Sequence, residues 1–415
     1  MARPTIAIGA TLGVPDPFDF IIGDPTRGQV HTFGTQYKVS TGFSTITPAS
    51  YAVSVSRGRW SRLWDSVDAG TGNVYLYNQD REFDPAYLDG SYAGYITPGR
   101  AVRVQANGIT IWTGYVDDWD LDYDVSGRST ATLSSVDALG VLGQMEFDAW
   151  TSSYTSANTK LSEVCDRTEV MWPAPLRVFD QGIEELQQDN VSHGSNVLNY
   201  TQLIARSDLG YLFASADGIL TFRNRYVASG VAAAVSFTDD GATDTIPYRG
   251  IRATIGSELL FARTSVDREG GTAQSSTVTD LPAWRDLYGP TRSLTIAGLL
   301  LADDSQSSTL ADYLLALYDT PRYRVSELDV DLLALSASEQ NAVLALDVTS
   351  VVSVTFTPNK VGDPIVETLV VQGLRHDIAV DRHILTLSLI DPSDPYFRIG
   401  DAVYGLIGSE YVLGF

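Results

Sequence analysis

Cysteine, lysine and histidine are scarce in this chain of 415 residues, and each scarcity excludes a class of chemistry. Cys165 is the only cysteine, so the chain can form neither an internal disulfide nor a cysteine zinc cluster. The only lysines are Lys38, Lys160 and Lys360, and none of them follows a glycine, which excludes a phosphate-binding loop. The four histidines lack the H-E-x-x-H spacing of zinc proteases.

Long apolar runs and the common enzyme motifs are missing as well. No run approaches the roughly 20 residues of a membrane-spanning helix, and "MARPTIAIGATLG" lacks the pattern of a signal peptide. The sequence contains neither a G-x-S-x-G elbow nor a G-x-G-x-x-G loop after a strand. We therefore assign no catalytic, metal-binding or cofactor-binding residue, and we expect no cofactor. A glycosidase needs only two carboxylates, so composition does not exclude one.

Positive charge is in short supply. The chain has 28 Lys and Arg residues against 51 Asp and Glu residues, for a net charge of −23. A protein that binds the outside of a nucleic acid presents a basic stripe, which this composition does not favour. The acidity has two interpretations: it maintains solubility, or it lines a passage whose wall repels the phosphates of moving DNA.

The chain is rich in segments that alternate apolar and polar residues, which predicts a mainly β protein. Val53 and Val55 fall on one face of the first such segment, and "GNVYLYN" and "RAVRVQANGITIW" continue the pattern. Asn107-Gly108 is a strong signal for a two-residue hairpin turn.

A cluster of five aspartates lies between residues 117 and 124. The alternation predicts a strand whose apolar side carries Trp119, Leu121, Tyr123 and Val125 and whose polar side carries Asp118, Asp120, Asp122 and Asp124. The spacing resembles a calcium loop, but Val125 and Ala131 occupy the positions of the required Gly and Glu. Three interpretations stay open: a solvated strand face, an acidic channel wall in an oligomer, and a metal or catalytic carboxylate set.

Helical periodicity appears after Met145. "NTKLSEVCDRTEV" spaces Leu161, Val164, Cys165 and Thr168 for a helix, and "SNVLNYTQLIARSDLG" predicts a helix that starts after Ser195 or Asn196 and stops at Gly210. A hairpin with an Asp217-Gly218 turn follows. A later helix is predicted at about 308–319, with Thr309 and Asp312 as a capping box and Pro321 as its stop.

Two distant hairpins share a pattern. In both, a G-x-x-x-D-Φ strand turns back into T-L-S-x-Φ-D, first from Gly114 to Asp137 and again from Gly373 to Asp391. A β-rich run precedes each hairpin. The pattern predicts two tube-like β-barrel domains related by internal duplication, with an inserted α/β domain between them.

We therefore divide the chain into five segments. Residues 1–50 form an N-terminal extended segment, 51–145 the first barrel domain, and 146–230 the inserted α/β domain. Residues 231–395 form the second barrel domain, which contains the helix at about 308–319. Residues 396–415 form a C-terminal arm, which either frays or docks on a neighbouring protein.

Several runs resemble the minor tail proteins of long-tailed bacteriophages, which form a baseplate hub at the tail tip, as in the myophage-type hub fold. These runs include "FDFIIGDPTRGQV", "PGRAVRVQANGITIWTGYVDDW", "SNVLNYTQLIARSDLGYLFASADGILTFRNR", "DLYGPTRSLTI" and "VQGLRHDIAVDRHILTLSLIDP". They occur in the family's order and cover most of the chain.

The resemblance implies a structural virion protein rather than an enzyme. It implies a homotrimeric hub at the tail tip, made in the host bacterial cytoplasm, whose channel continues the tail tube. Three chains with two similar domains each would match a six-fold tube to a three-fold tip. The implied partners are a distal tail protein or tube ring on the six-fold side, a tip fibre or other tail-tip protein on the three-fold side, the tape measure protein, and genomic DNA passing without specific binding.

Candidate site residues follow from this resemblance. Asp118, Asp120, Asp122 and Asp124 are the channel-facing candidates. Arg81, Trp112 and Trp119 are the candidates for inter-subunit contacts, with Arg81 pairing a neighbour's carboxylate. Trp60, Trp64, Trp112 and Trp119 are either core or interface anchors or a sugar-stacking platform. Two functions from other classes stay open: a carboxylate-dependent glycan hydrolase of the cell envelope, and a receptor- or carbohydrate-binding tip module.

Overall fold

The computed structural model describes residues 7–12, 19–20, 38–39, 43–60, 62–241 and 245–392. Within these residues the protein is mainly β, as predicted, and its largest sheet has 14 strands. Most of the predicted N-terminal segment and all of the predicted C-terminal arm, 396–415, lie outside the described residues.

The first part of the chain supplies nine strands and one short helix. The strands are β1 (Ile8–Leu12), β2 (Asp19–Phe20), β3 (Lys38–Val39), β4 (Ser44–Thr45), β5 (Ser50–Gly58), β6 (Thr71–Tyr77), β7 (Ala101–Ala106), β8 (Ile109–Asp122) and β9 (Thr130–Val136), followed by helix α1 (Ala138–Leu142). Asn107 and Gly108 have φ of 51° and 78° and form the predicted two-residue turn between β7 and β8.

The middle of the chain combines small sheets with helices. Its elements are β10 (Trp150–Thr151), β11 (Thr155–Ser156), α2 (Ala157–Asp166), β12 (Arg177–Phe179), β13 (Glu185–Leu186), β14 (Asn190–Val191), α3 (Val197–Ser207), β15 (Tyr211–Ala214) and β16 (Leu220–Arg223). The helix predicted to start after Asn196 does so, because the Asn196 side chain accepts a hydrogen bond from the backbone N–H of Asn199 at 3.1 Å.

The last part of the chain returns to strands and adds three helices. Its elements are β17 (Val235–Thr238), β18 (Ile246–Pro247), β19 (Gly250–Thr254), β20 (Arg263–Arg268), β21 (Gln274–Thr277), α4 (Leu281–Tyr288), β22 (Ser293–Leu299), α5 (Asp304–Tyr318), β23 (Arg324–Asp331), α6 (Ala337–Leu344), β24 (Val351–Phe356), β25 (Ile365–Ala379) and β26 (Arg382–Ile390). Short 3-10 turns lie at Thr47–Ala49, Ala174–Leu176, Ser257–Leu259, Leu332–Ala334 and Pro358–Lys360.

The helix predicted at about 308–319 starts earlier than expected. It is α5, and Asp303 caps it by accepting hydrogen bonds from the N–H groups of Ser305 and Gln306. Thr309 lies inside the helix and donates its hydroxyl to the Ser305 carbonyl, so the predicted capping box is wrong. The first turn is polar and carries no apolar periodicity, which hides it in the sequence. The prediction of one helix in this part is also wrong, since α4 and α6 accompany α5.

Two sets of five strands have the same order in the large sheet. In the first set, which we name repeat 1, the order is β5-β6-β9-β8-β7, and in repeat 2 it is β19-β23-β26-β25-β24. Numbered along the chain, both sets run 1-2-5-4-3, and every neighbouring pair within each set is antiparallel. Repeat 2 differs by the insertion of β20, β21, β22, α4 and α5 between its first two strands.

The register of the two repeats also corresponds, and it corrects the sequence alignment of the two hairpins. A bulge at Asp117 in β8 and one at Gln372 in β25 precede the pairs Asp118↔Ser134 and Gly373↔Ser388. The T-L-S strands are therefore equivalent, as predicted, but the preceding strands are offset by four residues from the G-x-x-x-D match. The first hairpin has a seven-residue loop, 123–129, and the second a two-residue loop, 380–381, so the short motif could not fix the register.

The two repeats meet edge to edge within the chain. β5 pairs antiparallel with the second half of β25, from Gly58↔Gly373 to Ala52↔Ala379, and we call this pairing the joint. Gly58 has φ 87°, and a Cβ there would lie 2.2 Å from the Gln372 carbonyl oxygen. Only glycine allows the strands to approach so closely at this end of the joint.

Candidate functional site

The acidic run lies at the end of β8, where one side of the strand is dry and the other is wet. Asp118, Asp120 and Asp122 are exposed, whereas Trp119 and Leu121 pack against the core, as the alternation predicts. The prediction fails beyond Asp122, because the strand ends there.

Asp124 and Val125, the last two residues of the predicted strand, lie in the loop after β8. The Asp124 carboxylate accepts hydrogen bonds from the N–H and hydroxyl of Ser126 at 2.9 and 2.8 Å, and these bonds lower the pKa of Asp124. Val125, predicted on the dry side, is fully exposed. Asp124 therefore belongs to a turn and not to the strand's polar face.

The polar side of β8 continues across both repeats. Residues directly opposite each other on antiparallel strands project to the same side of the sheet. The register places Asp118 opposite Ser134, Ser134 opposite Asn73, Asn73 opposite Ser54, and Ser54 opposite Asp377 across the joint. These five residues form one polar row, and we call this side of the two repeats the polar face.

Repeat 2 adds further charges to the polar face. Asp329 lies opposite Thr386, which lies opposite Arg375, and Arg375 lies opposite Ser56 across the joint. Glu327 lies opposite Arg252 on the outermost strand, and their side chains are 3.0 Å apart. With Asp118, Asp120, Asp122 and Asp377, the face carries more carboxylates than guanidinium groups.

The three contact candidates lie in different environments. Trp112 is buried in the core, with 1% of its surface exposed, and it donates its indole N–H to Ser135, so it offers no surface to a partner and we do not retain it. The Arg81 guanidinium already pairs with a carboxylate of its own chain, that of Asp84, at 2.6 Å. Trp119 is half-buried and stacks on Phe83 with ring centroids 6.0 Å apart.

The alternative sites proposed from the sequence do not assemble. Trp64 packs edge-on against Tyr318, Trp60 packs under the Arg375 guanidinium, and Trp112 is buried, so the tryptophans form no common platform. Within the described ranges, no group of three or more His, Cys, Asp and Glu side chains could hold a metal ion. Among the helices of the same ranges, none has the length and apolarity to span a bilayer.

Sequence reasoning missed two buried polar clusters. The Lys160 ammonium donates to the Ser152 hydroxyl at 2.8 Å and to the carbonyls of Ser153 and Gln187, and burial lowers its pKa. Ser152 and Lys160 are both fully buried, so this serine–lysine pair is closed to a substrate and acts as a structural tie. Periodicity gave no signal for it, because a lysine within an amphipathic helix is normally solvated.

The second cluster is a histidine pair in the β25–β26 hairpin. His376 Nδ1 lies 3.0 Å from His383 Nε2, and both side chains are buried. Burial lowers the pKa of His383 to about 4 and that of His376 well below its usual value. Both rings are therefore neutral near pH 7. The period of two places residues 376 and 378 on the side of β25 that faces the core, which is the signal that could have located the pair.

Two solved structures of tail proteins align with this chain over most of its length. The 43 kDa tail protein of prophage MuSo2 from Shewanella oneidensis aligns with a TM-score of 0.57 at 16% identity, over 94% of this chain and 99% of that chain. The tail protein from Neisseria meningitidis MC58 aligns with a TM-score of 0.60 at 12% identity, over 93% of this chain and 97% of that chain. This chain has the fold of a phage tail protein.

The likeness extends to a PdpA-VgrG complex. A chain of the half-lidded Francisella PdpA-VgrG complex aligns with a TM-score of 0.50 at 9% identity, over 95% of this chain and 59% of that chain. No protein-family model matches the sequence, and no curated protein matches it either. The relation is thus carried by the fold and not by sequence identity.

Proposed function

We propose that this protein is a structural component of a phage tail tip, a baseplate hub in which three chains form a ring around a central channel. The observation that carries the proposal is the repeated 1-2-5-4-3 strand order, with matching bulges and registers, inside one chain. The likeness to the tail proteins of Shewanella oneidensis and Neisseria meningitidis supports the same assignment.

The repeats account for the proposed change of symmetry. The two repeats join edge to edge through β5 and β25. One chain therefore supplies two similar, adjacent units of one continuous sheet. Three chains would supply six such units, so one end of the ring could contact a six-fold tail tube and the other a three-fold tip. We infer that a distal tail protein or tube ring binds one end and a tip fibre or other tail-tip protein the other. The tape measure protein is a further candidate partner.

The polar face is the proposed wall of the channel. Asp118, Asp120, Asp122 and Asp377 lie on it, on both sides of the joint. A wall with net negative charge repels DNA phosphates, so DNA would pass without being held. The buried side of the same strands packs against the core, which leaves the polar face free to face the channel.

A mass measurement tests the assembly. Light scattering of the purified protein should give about three times the 45.0 kDa mass of one chain. The 45.0 kDa mass of a single chain at every dilution, together with tail tips that lack the ring, would contradict the proposal. Carboxylate-dependent turnover of peptidoglycan or capsular glycan, lost in Asp→Asn variants, would replace it with the hydrolase alternative.

A further inference from the structure

Each repeat ends in a strand edge with no partner in the described part of the chain. β19 pairs with β23 along one edge, and no described strand lies along its other edge. On one side, β8 pairs with β9 as far as Asp122. On its other side, β8 bonds to β7 and to the residues before β7 only as far as Val116, so the end of β8 has a strand on one side alone. Unpaired strand edges are templates for pairing with another chain.

The chain contains a pairing of the equivalent edges, which is the joint. The registers make β5 equivalent to β19, with Ala52–Gly58 matching 250–256, and both segments end in glycine. They make the second half of β25 equivalent to the end of β8, with Gly373 matching Asp118. The pairing of β5 with β25 within the chain is therefore a template for a pairing of β19 with β8.

We propose that β19 of one copy pairs antiparallel with residues 118–123 of a second copy, in the register of the joint. We call this pairing the seam. The inference rests on the proposed ring, which it closes, since joints within chains and seams between chains would alternate around it. Transferring the joint's register places Arg252 opposite Asp122, Ile251 opposite Tyr123 and Ile255 opposite Trp119.

The charges at the two edges are complementary. Arg252 is exposed and already contacts Glu327, and the seam would place it between Glu327 and Asp122 of the second copy. Pairing of two β8 edges would instead bring the three aspartates of one copy, Asp118, Asp120 and Asp122, against those of the other, and like charges disfavour this arrangement. The arginine-bearing β19 avoids this repulsion, so the acidic edge selects β19 as its partner.

The apolar residues at the two edges are complementary as well. At the joint, Val53 and Ile378 lie opposite each other and are buried. Their equivalents are Ile251 and Tyr123, and Tyr123 is 51% exposed in the single chain. Ile255, opposite Trp119 in the transferred register, is 65% exposed. The seam would cover these exposed apolar residues between two copies, as the joint covers their equivalents between the two repeats.

The end of β8 also has a backbone N–H that is bonded to a side chain and not to a strand. The N–H of Trp119 donates to the Asp118 carboxylate at 2.8 Å instead of to a neighbouring strand. In the joint, the equivalent residue is Leu374, which lies opposite Arg57. The Asp118 carboxylate thus occupies the acceptor position that a backbone carbonyl of a second strand could take.

Cysteine cross-linking tests the register directly, because the single native cysteine, Cys165, is buried. Residues directly opposite each other on antiparallel strands have Cα atoms about 4.5–5.5 Å apart, which is within the range of a disulfide. Full-length chains with Tyr123→Cys and Ile251→Cys should form intermolecular disulfides under mild oxidation, up to a covalently closed ring. The matched control combines Ile251→Cys with Val125→Cys. Val125 is fully exposed but lies two residues out of the proposed register. The control should stay largely monomeric under denaturing, non-reducing conditions.

A charge exchange supplies a second readout. Arg252→Glu should weaken self-association about tenfold or more, because it faces Asp122 with a like charge. Adding Asp122→Arg to the same chain should restore most of the association, although Glu327 is unchanged.

The outcomes separate the seam from the hub proposal. An oligomer that has the expected mass but cross-links no better at 123–251 than at 125–251 overturns the seam and leaves the hub standing. A chain that stays monomeric at every dilution and is absent from tail tips overturns both.

Discussion

At the scale of single residues, Trp112 determines how the first strands can pack. Its indole ring lies against Gly72 and Gly114, and its N–H donates to Ser135, whose hydroxyl donates to the Gly72 carbonyl. A Cβ at Gly72 would lie 2.6 Å from the indole atoms Cε2 and Nε1. The close approach of the tryptophan therefore explains Gly72, whereas a Cβ at Gly70 would lie 2.6 Å from the Asp137 carboxylate oxygen Oδ2.

We predict that Gly72→Ala lowers the free energy of unfolding by roughly 1–3 kcal/mol, the cost of overpacking a core. Gly9→Ala is the matched control, since it also replaces a strand glycine but nothing lies within 4 Å of its Cβ position. Urea unfolding of both variants is the measurement. Equal stability of the two would contradict the packing described for Trp112.

The histidine pair predicts a dependence of stability on pH. The unfolded chain binds a proton at each histidine near pH 6.5, whereas the pKa of buried His383 is about 4. Between these values the unfolded state binds more protons, so the contribution of His383 to the free energy of unfolding decreases as the pH falls below 6.5 and is constant above it. Between pH 6.5 and 4, protonation of His383 lowers the free energy of unfolding by about 3 kcal/mol.

Comparing variants isolates that contribution, since other groups titrate in the same range. Burial raises the pKa of Asp208 to about 7, which acts in the opposite direction, because its stabilisation is lost as the pH rises. His383→Gln should flatten the loss of stability between pH 6.5 and 4 relative to the wild type. Parallel curves for His383→Gln and the wild type would refute the assignment.

At the scale of elements, sequence reasoning succeeded where the signal was local. The turn at Asn107-Gly108, the helix after Asn196 and the hairpin at Asp217-Gly218 each depend on a few adjacent residues. It failed where the determining feature was elsewhere in the chain. The offset between the two hairpins depends on how far each pair of strands extends before its loop, and a six-residue motif does not contain this information.

The start of α5 gives a prediction that separates the sequence-based cap from the observed one. Asp303→Ala should reduce stability by about 1 kcal/mol, because it leaves the N–H groups of Ser305 and Gln306 without the carboxylate. Thr309→Ala, at the predicted but incorrect cap, should cost clearly less, since Thr309 is exposed and lies inside the helix. Chemical denaturation of the two variants gives the comparison, and a larger loss for Thr309→Ala would contradict the observed start of α5.

The candidate site could be predicted only in part for a related reason. Alternation identified Asp118, Asp120 and Asp122 as one wet side of a strand. It could not show that Asp377, more than 250 residues away in sequence, lies in the same row, because that depends on the pairing of β5 with β25. Long-range strand pairing is determined by the whole fold and is not visible in local patterns.

At the scale of the whole molecule, two similar units are joined edge to edge. The repeats share strand order, bulges and registers, although the sequence showed only a short T-L-S match between them. Their joint leaves one open edge at each end of the pair among the described residues. A molecule of this form can extend its sheet only by adding copies of itself or another strand.

The most direct test of this account is an image reconstruction of intact tail tips at a resolution that separates strands. We expect three copies of the chain, with six similar units around a channel lined by Asp118, Asp120, Asp122 and Asp377. Tips in which the chain is absent, or in which its two repeats do not surround a common channel, would contradict it.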